Sequence, residues 1–262
     1  MLPIGDDNLG RIRTPFVNYG LVLLNIFVFL YWQHLGSDVP VTYGFATVPA
    51  EILSGHDIVS ESRIVVDPVS GVRQLMPGLQ PSPYPIYLTL FTALFLHGGI
   101  AHIFGNMLYL AIFGDNLENV MGHLRYLAFY LLCGVVASLA HVAATVFFGQ
   151  NPYVPSLGAS GAISGVLGGY LLLFPNHRIR IWFILGFWPF PAWLCVGLWF
   201  LFQLINGAGA LGSDAGSGVA YAAHIGGFVA GLLLVRLFVH PGDLALYRER
   251  REYSLRRRNR IV

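Results

Sequence analysis

Residues 124–148 read LRYLAFYLLCGVVASLAHVAATVFF, 25 residues whose one charge, Arg125, stands at the start. As a helix rising about 1.5 Å per residue, the run outlasts the roughly 30 Å hydrocarbon core of a bilayer. The chain around it has the same character: of its 262 residues, 55% are apolar and 11% are charged, with mean hydropathy +0.63. A soluble domain carries roughly 25% charged residues, so this composition excludes a cytosolic enzyme. It also excludes disorder, which needs low hydrophobicity and high charge. A polytopic membrane protein is what remains.

Working outward, apolar runs lie at 16–35 and 93–113 before this stretch and at 158–174, 181–205 and 218–240 after it. Together they predict an all-α bundle of six transmembrane helices. Segment 36–92 is too polar to span and holds Pro40, Pro49, Pro68, Pro77, Pro81, Pro83 and Pro85. It reads as a long, partly structured loop outside the hydrocarbon, lying on the membrane surface. The expected organisation is a short N-terminal segment (1–15), a membrane domain (16–240) and a basic tail (241–262). No convincing small-residue cleavage site follows the first run, which reads as a retained span.

Orientation follows from the arginines, which supply all 15 basic residues. With six spans, one side holds Arg11, Arg13, Arg125, Arg178, Arg180, Arg236 and the seven of the tail, while the other holds Arg63 and Arg73. The positive-inside rule makes this N-in, C-in. The Arg-rich tail is expected to meet anionic lipid rather than nucleic acid. The expected address is the plasma membrane. Cys133 and Cys195 lie in apolar stretches without Cys or His at metal spacing, so neither a disulfide framework nor a zinc site is expected.

Inside the spans, uncharged polar residues carry the information. His97, His102 and Asn106 lie in the second, His141 in the third, Ser160 and Ser164 in the fourth, and His224 in the sixth. Counting along the helices, His102, Ser160 and His224 fall roughly 18–22 Å above the inner boundary, all at one level. Ahead of Ser160 runs the loop sequence Gly149-Gln150-Asn151-Pro152-Tyr153-Val154-Pro155-Ser156-Leu157-Gly158. Too few residues follow Ser160 for a helix starting there to cross the bilayer, so the loop must dip inward and place Ser160 at a helix start beside a wet cavity. Gly161, Gly165 and Gly169, and Ala223, Gly227 and Gly231, repeat every fourth residue, as helices that pack closely require. If these faces meet, Ser160 and His224 stand at the same end of the contact.

Four motifs, in order, resemble those of the rhomboid intramembrane serine proteases. Gly158-Ala159-Ser160-Gly161 is similar to GxSG, and His224-Ile225-Gly226-Gly227-Phe228-Val229-Ala230-Gly231 to the final-helix HxxGxxxG. His97 with His102 through Asn106 resembles the second-helix histidines and HxxxN, and Gly114, Glu118 and Gly122 resemble the glycine–glutamate motif that follows. Two features depart from the pattern. Tyr87-Leu88-Thr89-Leu90 lacks the Trp-Arg pair that often anchors the first loop, and Ser164 stands where some members stack an aromatic ring on the catalytic histidine.

The resemblance implies a six-helix rhomboid-type bundle with Ser160 as nucleophile and His224 as general base. His102 and Asn106, with backbone N–H groups near Ser160, would be the oxyanion donors. It implies no cofactor and no metal. The substrates would be membrane proteins whose spans unwind locally to reach a site open to the extracytoplasmic side. Entry beside the aromatic-rich fifth span and a purely lipid-facing role for those aromatics both fit the sequence. His97 is expected to be structural, and Ser164 to bond back to its own helix. The alternatives are a catalytically silent rhomboid-like protein that binds membrane clients and a small transporter.

Overall fold

The computed structural model describes residues 2–66, 73–183, 186–210 and 220–259. Pro68, residues 218 and 219 of the sixth predicted run, and Arg260 of the tail lie outside them. The elements in chain order are β1 (Leu2–Gly5), α1 (Phe16–Phe27), α2 (Val39–Gly44), α3 (Pro49–Ser54), β2 (Arg63–Val66), β3 (Arg73–Met76), α4 (Thr89–Thr92) and α5 (Ile100–Met121). Then follow α6 (His123–Phe147), α7 (Ser160–Leu173), β4 (Arg178–Phe183), β5 (Gly186–Pro191), α8 (Ala192–Ala210), α9 (Tyr221–Phe238) and α10 (Pro241–Asn259).

Among the described residues, α6, α8 as Ala192–Gly209 and α9 are long and apolar enough to cross a bilayer. A fourth span arises if Ile86–Phe95 and α5, bent by 81° at their junction, are taken as one. Phe16–Trp32 and Ser160–Leu173 are shorter apolar helices. The molecule is an integral membrane protein built mainly of helices around a main core that includes Leu110, Leu117, Phe129, Val166 and Tyr170, with smaller apolar clusters under the first loop.

Two sequence expectations are corrected. The second helix does not end near residue 113 but runs through Asp115, Asn116, Glu118 and Asn119, all buried. An apolar-run criterion stops at such residues. The helix continues because their partners arrive from about 100 residues earlier. Glu118 accepts from Val17 N–H (3.0 Å) and Asn18 N–H (2.7 Å), satisfying the open first turn of α1. Asn119 accepts from the N–H groups of Ile12 and Arg13, and Asp115 pairs with Arg11. Gly114 leaves room for Asn18 and the Tyr126 hydroxyl, which bond one another at 2.7 Å.

The fifth run, predicted over 181–205, begins as a β-hairpin, and α8 starts only at Ala192. Ile179 and Ile181 point inward while Arg178, Arg180 and Trp182 point out, a period of two that suits a strand. Gly186, Pro189 and Pro191 keep the second strand from coiling. With β1 these strands form a sheet in the order β1-β4-β5, so the fold is not purely α. The basic tail forms α10, which docks on the bundle with Tyr247 buried against Asn116 (2.6 Å). Arg251 pairs with Asp7, and Asp243 with Arg13.

The N-terminal segment is thus a strap held between α5, α7, β4 and α10. Asp6 sits at its centre, accepting from the Tyr170 hydroxyl and Asn116 Nδ2, both at 2.6 Å. Burial pushes its carboxyl up to about 7, helped by the charge of Asp115 and opposed by the bonds from Tyr170 and Asn116. The folded value lies above the unfolded one. Stability from this group is therefore complete below the unfolded value and is lost as pH rises through about 7. Hydrogen exchange of residues 2–8, corrected for intrinsic rates, is expected to be faster at pH 8 than at pH 5.5. Asp6→Asn should flatten that difference.

Candidate active site

Ser160 is the first residue of α7, preceded by Ala159 with no side-chain cap, so N–H groups of the first turn remain open at this end. The loop before it is pinned at several points. Thr47 and Ser156 exchange backbone hydrogen bonds (2.9 and 2.8 Å), Ala50 N–H donates to Pro152 O, and Gly158 N–H donates to Ala93 O at 2.8 Å. The long first loop therefore holds the Ser160 loop through the backbone of Thr47 and Ala50, while the hydroxyls of Thr47 and Thr92, donating to Thr89 O and Phe45 O, tie the first loop to itself. The loop is partly structured, carrying α2, α3 and the β2–β3 hairpin.

Gly158 has φ +123°, where a side chain is strained. A Cβ there would stand 2.9 Å from the imidazole of His102, so the second-helix histidine lies directly against the turn that delivers Ser160. His102 Nδ1 accepts from Gly98 N–H at 3.3 Å, which leaves Nε2, the atom nearer Gly158, as the donor. Asn106, one turn further along α5, is buried near the same glycine. Its Nδ2 has no hydrogen-bond partner among the described residues.

The α7 and α9 helices meet along the predicted small-residue faces. A Cβ on Gly227 would strike Gly161 O, and one on Gly231 would strike Gly165 O. Gly165 in turn packs on Cys133 of α6. This approach brings His224 Nε2 to 2.8 Å from Ser160 Oγ across 64 residues of sequence. All four sequence-selected residues, Ser160, His224, His102 and Asn106, thus gather around the start of α7. Ser164 bonds back to Ser160 O at 2.6 Å, as expected of a serine within a helix. His97 is buried, packed edge-on to His102 and Phe29, and its backbone is bracketed by Gln33, which donates to His97 O and accepts from His97 N–H.

Sequence reading passed over one neighbour of this group. Gln203, buried on α8, has its Oε1 2.8 Å from His224 Nδ1. Its signal was present: a lone amide in the apolar run Leu201-Phe202-Gln203-Leu204-Ile205, where an uncharged polar group needs a partner. A serine hydroxyl against a histidine nitrogen, with unpaired N–H donors close by, is the arrangement that acyl transfer through a serine requires.

Residues 86–241, more than half of the chain, match the family model described as "Rhomboid domain". Among curated proteins, the chain is 32% identical over 147 residues to "Rhomboid protein 1, mitochondrial" of Saccharomyces cerevisiae, covering 56% of this chain and 40% of that protein. It is 26% identical over 165 residues to "Presenilin-associated rhomboid-like protein, mitochondrial" of Bos taurus, covering 63% and 35%. It is 32% identical over 174 residues to "RHOMBOID-like protein 6, mitochondrial" of Arabidopsis thaliana, covering 65% and 50%. The matched part spans half or less of each of these relatives. The plasma-membrane address expected from sequence finds no support in their names and is at odds with them.

Proposed function

The chain belongs to the rhomboid family, and on that premise we propose that it is an intramembrane serine endopeptidase acting on membrane-protein substrates. The observation that carries this reading is the 2.8 Å contact of Ser160 Oγ with His224 Nε2. In the proposed reaction, Ser160 Oγ bonds to the scissile carbonyl carbon as its proton passes to His224 Nε2. The carbonyl π electrons move to oxygen. His102 Nε2–H, Asn106 Nδ2–H and backbone N–H groups at the start of α7 stabilise that oxyanion. Collapse breaks the C–N bond, His224 returns the proton to the leaving amine, and water then hydrolyses the acyl-enzyme by the same route.

The proposed setting is a membrane domain over 16–240 with six spans, N-in and C-in. The long loop and the Ser160 entrance face the extracytoplasmic side, and the N-terminal strap and α10 face inward. Phe16–Trp32 and Ser160–Leu173, the two short apolar helices, supply the spans beyond the longer ones. Arg248 and Arg257, exposed on α10, are the residues proposed to meet anionic lipid. A substrate span must unwind near its cut, because only an extended segment presents a free carbonyl to Ser160.

A serine-directed fluorophosphonate tests the reading. Detergent-purified protein should be phosphonylated at Ser160, as located by peptide mass spectrometry. Ser160→Ala should not react. Labelling that persists in Ser160→Ala would remove the nucleophile from the proposal.

A further inference from the structure

We propose that Gln203 is a positioning residue for the Ser160–His224 pair: its amide oxygen holds the histidine proton on Nδ1 and so leaves Nε2 as the lone pair facing the serine hydroxyl. This rests on the protease reading above, since it gives Gln203 a part in that reaction. A neutral imidazole carries one proton, and the nitrogen without it is the acceptor. With the proton on Nε2, the ring could not take one from Ser160. Gln203 Oε1, 2.8 Å from Nδ1, is an acceptor and so selects the Nδ1–H tautomer, while Ser160 Oγ lies 2.8 Å from the opposite nitrogen.

The surroundings explain why α8 supplies this group. Ser164, one turn after Ser160 on α7, is tied to Ser160 O. The ring of His224 is flanked from α8 by Trp199, one turn before Gln203, with centroids 6.2 Å apart, and from its own helix by Tyr221 at 6.3 Å. Gln203 is 5% exposed. An amide at that depth orients the ring without bringing a charge into the bilayer, which a carboxylate would do at the cost of desolvation. Among the described residues, the imidazoles of His102 on α5 and His141 on α6 also act electrostatically on His224.

Histidine-selective 15N NMR on protein in detergent micelles reads the tautomer, with the His224 signals assigned by their absence in His224→Ala. Wild type should show Nδ1–H, and Gln203→Leu, of similar volume, a mixture of tautomers. In a cleavage assay, Gln203→Leu should lose about 10–100-fold in kcat with KM nearly unchanged. Gln203→Glu keeps an acceptor. It should recover most of that kcat at alkaline pH and move the acid limb of the profile upward, because a carboxylate favours the protonated ring. An Nε2–H tautomer in wild type, or a Gln203→Leu protein with wild-type tautomer and kcat, would overturn the proposal. Wild type that neither labels nor cleaves, while its tautomer still depends on Gln203, would overturn the catalytic role together with the protease reading and leave the hydrogen bond itself standing.

Discussion

His224→Ala is expected to lower substrate cleavage by about 10⁴-fold or more, with fluorophosphonate labelling of Ser160 lost in parallel. The size follows from geometry. Ser160 Oγ lies against one base, His224 Nε2 at 2.8 Å, and its helix otherwise offers Ser164, whose own hydroxyl is committed to Ser160 O. Without the imidazole, the hydroxyl proton has no acceptor in the transition state, and the remaining rate comes from substrate binding and the oxyanion donors. The substitution also strands the Gln203 oxygen in a buried place, at about 1–3 kcal/mol. A modest drop in melting temperature should therefore accompany the loss of activity. His141→Ala, which leaves the Ser160 contact untouched, should retain cleavage. If His224→Ala cleaved within tenfold of wild type, another group would have to be the base.

The second large effect is structural in origin. Gly231→Val should destabilise the bundle by about 3 kcal/mol or more, lowering the melting midpoint by on the order of 10 °C, and abolish cleavage. A Cβ at 231 collides with the carbonyl oxygen of Gly165, a backbone atom that moves only if α7 and α9 separate. Those two helices carry Ser160 and His224, so even a small separation breaks the contact on which the proposed chemistry depends. Gly197→Ala on α8 is the control: a Cβ there meets nothing within 4 Å, and both melting and cleavage should match wild type. A Gly231→Val protein that melted and cleaved like wild type would contradict the close approach of the two helices.

How much of this was legible in the sequence depended on whether the partner was local. The faces Gly161-Gly165-Gly169 and Ala223-Gly227-Gly231 announced their contact through a repeat of four, and the depth count placed Ser160, His224 and His102 at one level. Each of those signals is written in a single helix. The polar end of α5 was misjudged because hydropathy reads Asp115, Asn116, Glu118 and Asn119 as a boundary, whereas Arg11, Ile12, Arg13, Val17 and Asn18, with Asp6 and Tyr247 on Asn116, make them interior. Hydropathy also gives no sign that α10 folds back and pairs Arg251 with Asp7, since that partner lies at the other end of the chain. The β4–β5 hairpin was hidden for another reason. Its aromatic residues are apolar enough to resemble a span, and the alternation of Arg178-Ile179-Arg180-Ile181 outweighs hydropathy there. Gln203 was missed because an uncharged amide hardly changes a hydropathy window, although its burial demands a partner.

On the proposed reading, Ser160, held by α7 against His224, cuts peptide bonds within the membrane. The most direct measurement is cleavage of a tagged single-span membrane protein by wild type and by Ser160→Ala, both reconstituted in lipid vesicles at equal amounts, with the new termini identified by mass spectrometry. The account predicts discrete cleavage within or next to the substrate span by wild type and none by Ser160→Ala. Equal cleavage by the two proteins would contradict it.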